Sequence, residues 1–138
     1  MKKSWLVDAD LFIEGERGNP SFFDWAAGEV ASEFATADVV RAQFLVGVHS
    51  VKDPAKKNRG LKFYSEKISV LNSISNLPDD YERAAELVGE AWRTGKGQPD
   101  LLDGLVAAIA LRTNAVIATR NVKDFKAMGV PAENPLKW

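Results

Sequence analysis

The sequence predicts an α/β sandwich, a central parallel β-sheet flanked by helices. Short runs of small, β-branched or otherwise apolar residues, Ser4 to Val7, Thr36 to Val40 and Ala115 to Thr119, suit buried strands. Longer stretches with apolar residues three and four apart lie between them. Strands alternating with helices make a parallel sheet with right-handed crossovers the economical topology. The 138 residues hold no internal repeat and no low-complexity stretch, so one domain over 1–138, burying about two thirds of its unfolded surface, is expected.

Taken in order, Ser4 to Val7 forms the first strand and stops at Asp8. Asn19-Pro20 ahead of Ser21 to Ala27 starts a helix, because proline is tolerated in a first turn. Thr36 to Val40 reads as the second strand, and Arg41 to Val48 as a short helix with Phe44, Leu45 and Val48 inward, which leaves Gln43 just past the strand end. Asp53-Pro54 opens a long helix in which Leu61, Tyr64, Ile68, Leu71 and Ile74 share one side. Lys52, Lys56, Lys57, Arg59 and Lys62 then form a solvated face, with RNA-backbone contact the minority reading. Asp79 is placed to cap a helix from about Asp80 to Arg93, with Tyr81, Ala84, Ala85, Val88 and Trp92 on its apolar side, stopped by Thr94 to Gly97. Leu101 to Arg112 is apolar on nearly every side, as in a helix enclosed by the interior. Ala115 to Thr119 is the next strand, and Val122 to Met128 a last helix. Trp5, Trp25 and Trp92 are read as core or interface anchors and His49 as a surface residue.

Composition excludes several chemistries. Cysteine is absent and His49 is the sole histidine, which removes disulfides and thiolate metal sites and argues against zinc. Lys and Arg total 18 against 19 Asp and Glu, so a net charge of −1 gives no global pull on nucleic acid, and phosphate binding must come from local patches or metal. Met1-Lys2-Lys3 is followed by only four uncharged residues before Asp8, too few for a signal peptide, and no stretch reaches membrane-spanning length. A soluble, cytoplasmic protein is expected.

The candidate chemistry lies in Trp5-Leu6-Val7-Asp8-Ala9-Asp10, Asp103 to Ala108, and Thr119-Arg120-Asn121-Val122-Lys123-Asp124-Phe125. A strand ending in Asp lifts its carboxylate to the carboxyl edge of the sheet, where open α/β sheets bind ligands. Magnesium is usually held by one or two carboxylates plus water and phosphate, so acids from remote stretches must converge. Each residue also has a plain structural reading. Asp8 and Asp10 could cap the following turn. Asp100 and Asp103 match a capping box, yet Asp103 also opens a buried apolar helix, where a carboxylate must be capped, paired or metal-bound, and the two readings weigh equally. Asn121 could simply cap the last helix. What favours a site is that Asp8, Asp103 and Asn121 share one predicted sheet edge.

With Ala42-Gln43-Phe44-Leu45-Val46-Gly47-Val48 added to those segments, the chain resembles the PIN-domain ribonucleases over nearly its full length, and within them the VapC and FitB-like toxins of type II toxin–antitoxin pairs. The resemblance implies a PIN-like sandwich and an acidic cluster at Asp8, Gln43, Asp103 and Asn121. Asp10 falls in a slot usually Asn or Ser, and Asp124 is an added acidic neighbour. It implies an endoribonuclease using Mg²⁺ or Mn²⁺, with Asp8 and Asp103 as principal ligands and Asn121, Asp124 and Thr119 positioning water or ligands. It further implies a VapB-like antitoxin whose C-terminal segment enters the active-site groove, an RNA substrate, and a homodimer or a higher toxin–antitoxin assembly.

The departure is Gln43, where the family pattern has Glu. Glutamine keeps an acceptor oxygen but loses the charge and cannot serve as a general base, so the chain is expected to be disabled by natural loss or by a deliberate substitution. A non-catalytic module that binds antitoxin or RNA is the alternative. A phosphorylation receiver domain ranks well below, because neither Asn76-Leu77-Pro78 nor Gln43 supplies the acceptor Asp that such a domain needs.

Overall fold

A computed structural model describes residues 3–29 and 31–137; Met1 and Lys2 of the basic opening, Val30 and Trp138 lie outside the described residues. Five strands, β1 (Ser4–Val7), β2 (Glu33–Ala37), β3 (Asn72–Ile74), β4 (Val116–Ala118) and β5 (Ala132–Glu133), form one sheet in the order β3-β2-β1-β4-β5. Every pairing is parallel, with Leu6 opposite Ala35 on one side and Ile117 on the other. The seven helices among the described residues are α1 (Ala9–Glu16), α2 (Pro20–Gly28), α3 (Asp38–Ser50), α4 (Pro54–Phe63), α5 (Pro78–Thr94), α6 (Leu101–Thr113) and α7 (Val122–Ala127). None is long and apolar enough to cross a membrane. The predicted α/β sandwich with its central parallel sheet is the observed fold.

The core joins the central strands to the inner faces of the helices: Leu6, Leu11, Phe12, Ile109, Ile117 and Phe125 have less than 2% of their surface exposed. Gly104 to Ala110 of α6 are all buried, as its all-round apolarity predicts, although Leu101 and Leu102 ahead of them are exposed. Gly104 matters here, because a Cβ at this position would lie 2.6 Å from Val88 Cγ2, so α5 and α6 approach as closely as they do only over glycine.

Several boundaries differ from expectation. α1 was not anticipated; Asp8 caps it, and Ala9, Leu11, Phe12 and Gly15 bury its inner face. β2 ends at Ala37, not Val40, because its parallel pairing with β3 stops where Ala37 meets Ile74, and Val39 and Val40 lie in the first turn of α3 despite their β-branching. Gln43 consequently sits in the second turn of α3, exposed, and not just past a strand end. The helix opened by Pro54 stops at Phe63, and one π-helical turn, Tyr64–Ile68, follows, with the Ser69 N–H donating to the Tyr64 carbonyl at 2.8 Å. Leu71 and Ile74, read as helical, belong to the approach to β3 and to β3 itself; a three-residue strand is too short to show a period of its own. Leu77, not Asp79, is the N-cap of α5, and the Asp80 carboxylate accepts from its N–H at 2.8 Å. Tyr81 and Trp92 lie more than half exposed; Ala84, Val88 and Ala91 make the buried face. β5 was not expected.

Candidate active site

Adjacent parallel strands place the first two groups together. Val7 of β1 pairs with Ala118 of β4, so the residues that follow, Asp8 and Thr119, emerge side by side at the carboxyl edge, fixed by the Asp8 N–H donating to the Ala118 carbonyl at 3.0 Å. Asp8 is only 8% exposed. Its Oδ1 accepts from the Ala9 N–H at 2.9 Å, an N-cap bond, and its Oδ2 faces the Thr119 hydroxyl at 3.0 Å. That hydroxyl also lies 3.3 Å from Asp10 Oδ2 and accepts from the Asn121 N–H at 3.0 Å. The Arg120 N–H donates to Asp10 Oδ2 at 3.1 Å. Thr119, completely buried, is the hinge of this arrangement.

Asp103 comes from α6. The capping box predicted for it is present: the Asp103 N–H donates to Asp100 Oδ1 at 2.8 Å, and Asp103 Oδ2 accepts from the Asp100 N–H at 3.1 Å. Capping does not isolate it, because its charge acts on Asp8 and the Asp124 charge acts on it. Asp124 is held in turn by the Gln98 N–H, 2.9 Å from its Oδ1. A Cβ at Gly97 would come within 2.8 Å of that same oxygen, so the loop before α6 packs closely on Asp124.

The electrostatics are those of crowded, buried acids, with the charge of Arg120 opposing the effect at Asp10. Burial, reinforced by the charge of Asp10, pushes the Asp8 carboxyl up to about 7, against the bonds from Ala9 and Thr119 that favour the ionised form. Burial likewise raises Asp103 to about 6. Asp10 is raised by burial too, opposed by the Arg120 N–H and the Thr119 hydroxyl, and its Oδ1 is buried with no hydrogen-bond partner. An orphaned carboxylate oxygen beside the raised Asp8 carboxyl is the kind of oxygen donor that a hard cation takes. Among the described residues no group of three or more histidine, cysteine, aspartate or glutamate side chains is placed to hold a metal ion.

The structure therefore brings together Asp8, Asp10, Thr119 and the Asn121 backbone by hydrogen bonds, and Asp103 and Asp124 through their charges. The Asn121 side chain makes no capping bond. Gln43 makes no hydrogen bond to Asp8, Asp10 or Asp103, although α3 packs against both α1 and α6. The Arg120 and Gln98 backbone donors were missed by sequence reasoning, since a backbone N–H carries no signature in its side chain.

No protein-family model matches the chain. It is 32% identical over 126 residues, 88% of its length and 87% of the relative's, to a protein named Ribonuclease VapC from Rickettsia bellii (strain RML369-C). Among solved structures, FitAcB from Neisseria gonorrhoeae superposes with a TM-score of 0.79 at 22% identity, covering 95% of this chain and 97% of that one. VapBC2 from Rickettsia felis, bound to a DNA fragment from its promoter, gives 0.78 at 20% identity, with 94% and 97% covered.

Proposed function

The chain belongs to the VapC ribonuclease family, and from this we propose that it is the toxin of a type II toxin–antitoxin pair, a cytoplasmic divalent-metal-dependent endoribonuclease whose centre is the carboxyl edge of β1 and β4. The observation that carries the site assignment is the buried Asp8 carboxylate, oriented on both oxygens and repelled by Asp10 and Asp103, next to an Asp10 oxygen with no partner.

Asp8 and Asp103 would hold Mg²⁺ or Mn²⁺. When bound, such an ion supplies a water of lowered pKa and neutralises charge on the phosphodiester oxygens. Thr119 fixes the carboxylates of Asp8 and Asp10, a supporting contact of the kind that tunes metal sites. Asp124 adds negative charge beside Asp103, and Asn121, whose N–H donates to the Thr119 hydroxyl, would contribute an uncharged amide. Gln43 can accept or donate a hydrogen bond but cannot remove a proton from an attacking water. Its partners in this reading are RNA as substrate, a VapB-like antitoxin and a second copy of the chain.

Gln43 also favours a second reading, a module that binds antitoxin or RNA without cutting. One experiment separates them: Mg²⁺- or Mn²⁺-dependent cleavage of total cellular RNA by this chain and by Gln43→Glu, with EDTA controls. Cleavage restored in Gln43→Glu, by about 10²-fold or more as a positioned general base contributes, is the expected result. Absence of cleavage in both would overturn the nuclease reading in favour of the binding module.

A further inference from the structure

Asp8 and Asp10 stand two residues apart where β1 passes into α1, and their oxygens are not equally provided for. Asp8 Oδ1 accepts from the Ala9 N–H, and Asp8 Oδ2 faces the Thr119 hydroxyl. Asp10 Oδ2 accepts from the Arg120 N–H and lies 3.3 Å from the same hydroxyl. A hydroxyl has one proton, and the Thr119 oxygen itself accepts from the Asn121 N–H, so Thr119 donates to only one of the two carboxylates at a time. Asp10 Oδ1 is buried and makes no hydrogen bond; the Leu11 amide favours the charged form of Asp10 without closing a bond on this atom. A buried acceptor left unmet carries its full desolvation penalty, and in a native structure it marks stored strain, a catalytic role or an ion. Strain is not the cause here. Asp8 is extended, at φ −84° and ψ 162°, Asp10 lies in a regular helix, and among the described residues Asn114 is the only non-glycine of positive φ.

We propose that Asp10 is a direct ligand of the divalent ion, giving Oδ1 to it and sharing it with Asp8, while Asp103 holds the ion through its charge. The inference rests on the metal-dependent reading of this edge and adds a ligand to it. Oδ1 can give a lone pair to a cation without surrendering a hydrogen bond, whereas each Asp8 oxygen already faces a donor. The other Asp10 oxygen is pinned by the Arg120 N–H, so the carboxylate is held in one orientation before an ion arrives, as supported ligands are. The charges of Asp8 and Asp10 oppose one another, and Arg120 offsets part of that at Asp10; a dication relieves the rest. Two carboxylates with water complete the ligand set that Mg²⁺ usually takes. Gln43 brings no charge to the edge, so this second carboxylate comes from α1. Asp8 alone caps that helix, which frees Asp10 from the turn-capping role its sequence context allows.

The test is a titration of the full chain with Mn²⁺ alone, the free ion read by electron paramagnetic resonance, together with thermal melts in EDTA and in saturating Mn²⁺. In Asp10→Asn one side-chain oxygen remains to accept from the Arg120 N–H, and an NH₂ that cannot ligate takes the place of Oδ1. Mn²⁺ binding is expected to weaken by more than about 100-fold, beyond the roughly 10–100-fold lost with a residue that touches an ion only through another ligand. In EDTA the variant should melt no lower than the unaltered chain, because a charge that opposes Asp8 is gone, while the rise in melting temperature given by Mn²⁺ disappears. A merely structural Asp10 would give the reverse, a lower melt in EDTA and a retained rise with Mn²⁺. Glu82→Gln, which removes one exposed negative charge from α5, should leave Mn²⁺ affinity unchanged. Mn²⁺ binding by Asp10→Asn within about 100-fold of the unaltered chain, or a lower melt in EDTA, would overturn the proposal and leave the metal-dependent reading standing. No Mn²⁺ binding by the unaltered chain would overturn both.

Discussion

Asp8 owes its raised carboxyl to burial more than to the charges of its neighbours. Asp103, Asp10 and Asp8 all have raised affinities for a proton, each chiefly through desolvation. A carboxyl raised in the folded state binds protons more readily there than in the unfolded chain, so its contribution to stability is fully present below the unfolded value and is lost as pH climbs through the folded one. The metal-free chain should therefore lose thermal stability as pH rises from about 4 to about 7, the interval between the ordinary and folded values of Asp8. Thermal melts in EDTA across that range check this, and Asp8→Asn should flatten the dependence. At this level the sequence was informative about residue types and silent about environment: it exposed Asp8, Asp103 and the anomalous Gln43, but not the raised carboxyls or the orphaned Asp10 oxygen, which arise from groups distant in the chain.

Local signals predicted the elements best where the cause is local. β1 ends where Asp8 begins, Pro20 and Pro54 open helices, and Asp100 with Asp103 forms the expected box, each depending on a few adjacent residues. Where packing decides, the sequence misled: Trp92 and Tyr81 have helical spacing but face outward, since the α5 surface that α6 covers is made by Ala84, Val88 and Ala91. The seam between these helices gives a paired expectation. Gly104→Ala would drive a Cβ to 2.6 Å from Val88 Cγ2 and 3.0 Å from the Ala84 carbonyl, an overpacking cost of about 1–3 kcal/mol. Gly89→Ala, on the exposed side of α5 with nothing within 4 Å, should stabilise by about 0.5–1 kcal/mol through lower unfolded-state entropy. Denaturant midpoints for the two variants should move in opposite directions.

For the molecule as a whole, the proposed ligands come from opposite ends of the chain and meet only when the sheet and α6 are assembled. An unfolded chain offers no such pair, so divalent ions should bind the folded state alone and raise its stability by about 2.7 kcal/mol at a hundredfold excess over Kd. A Mg²⁺-induced rise in melting temperature, abolished in Asp8→Asn and in Asp103→Asn, is the expected result; an undiminished rise in both variants would place the ion elsewhere. The parallel sheet and the identity of its acids were legible in the order of short apolar runs and in which residues close them, because strand and helix periodicity and capping depend on near neighbours. The register that turns Val39 and Val40 into helix, the strand made of Asn72 to Ile74 and the exposed position of Gln43 were not legible. Each depends on which remote segments pack together, and a window of adjacent residues contains no term for that energy.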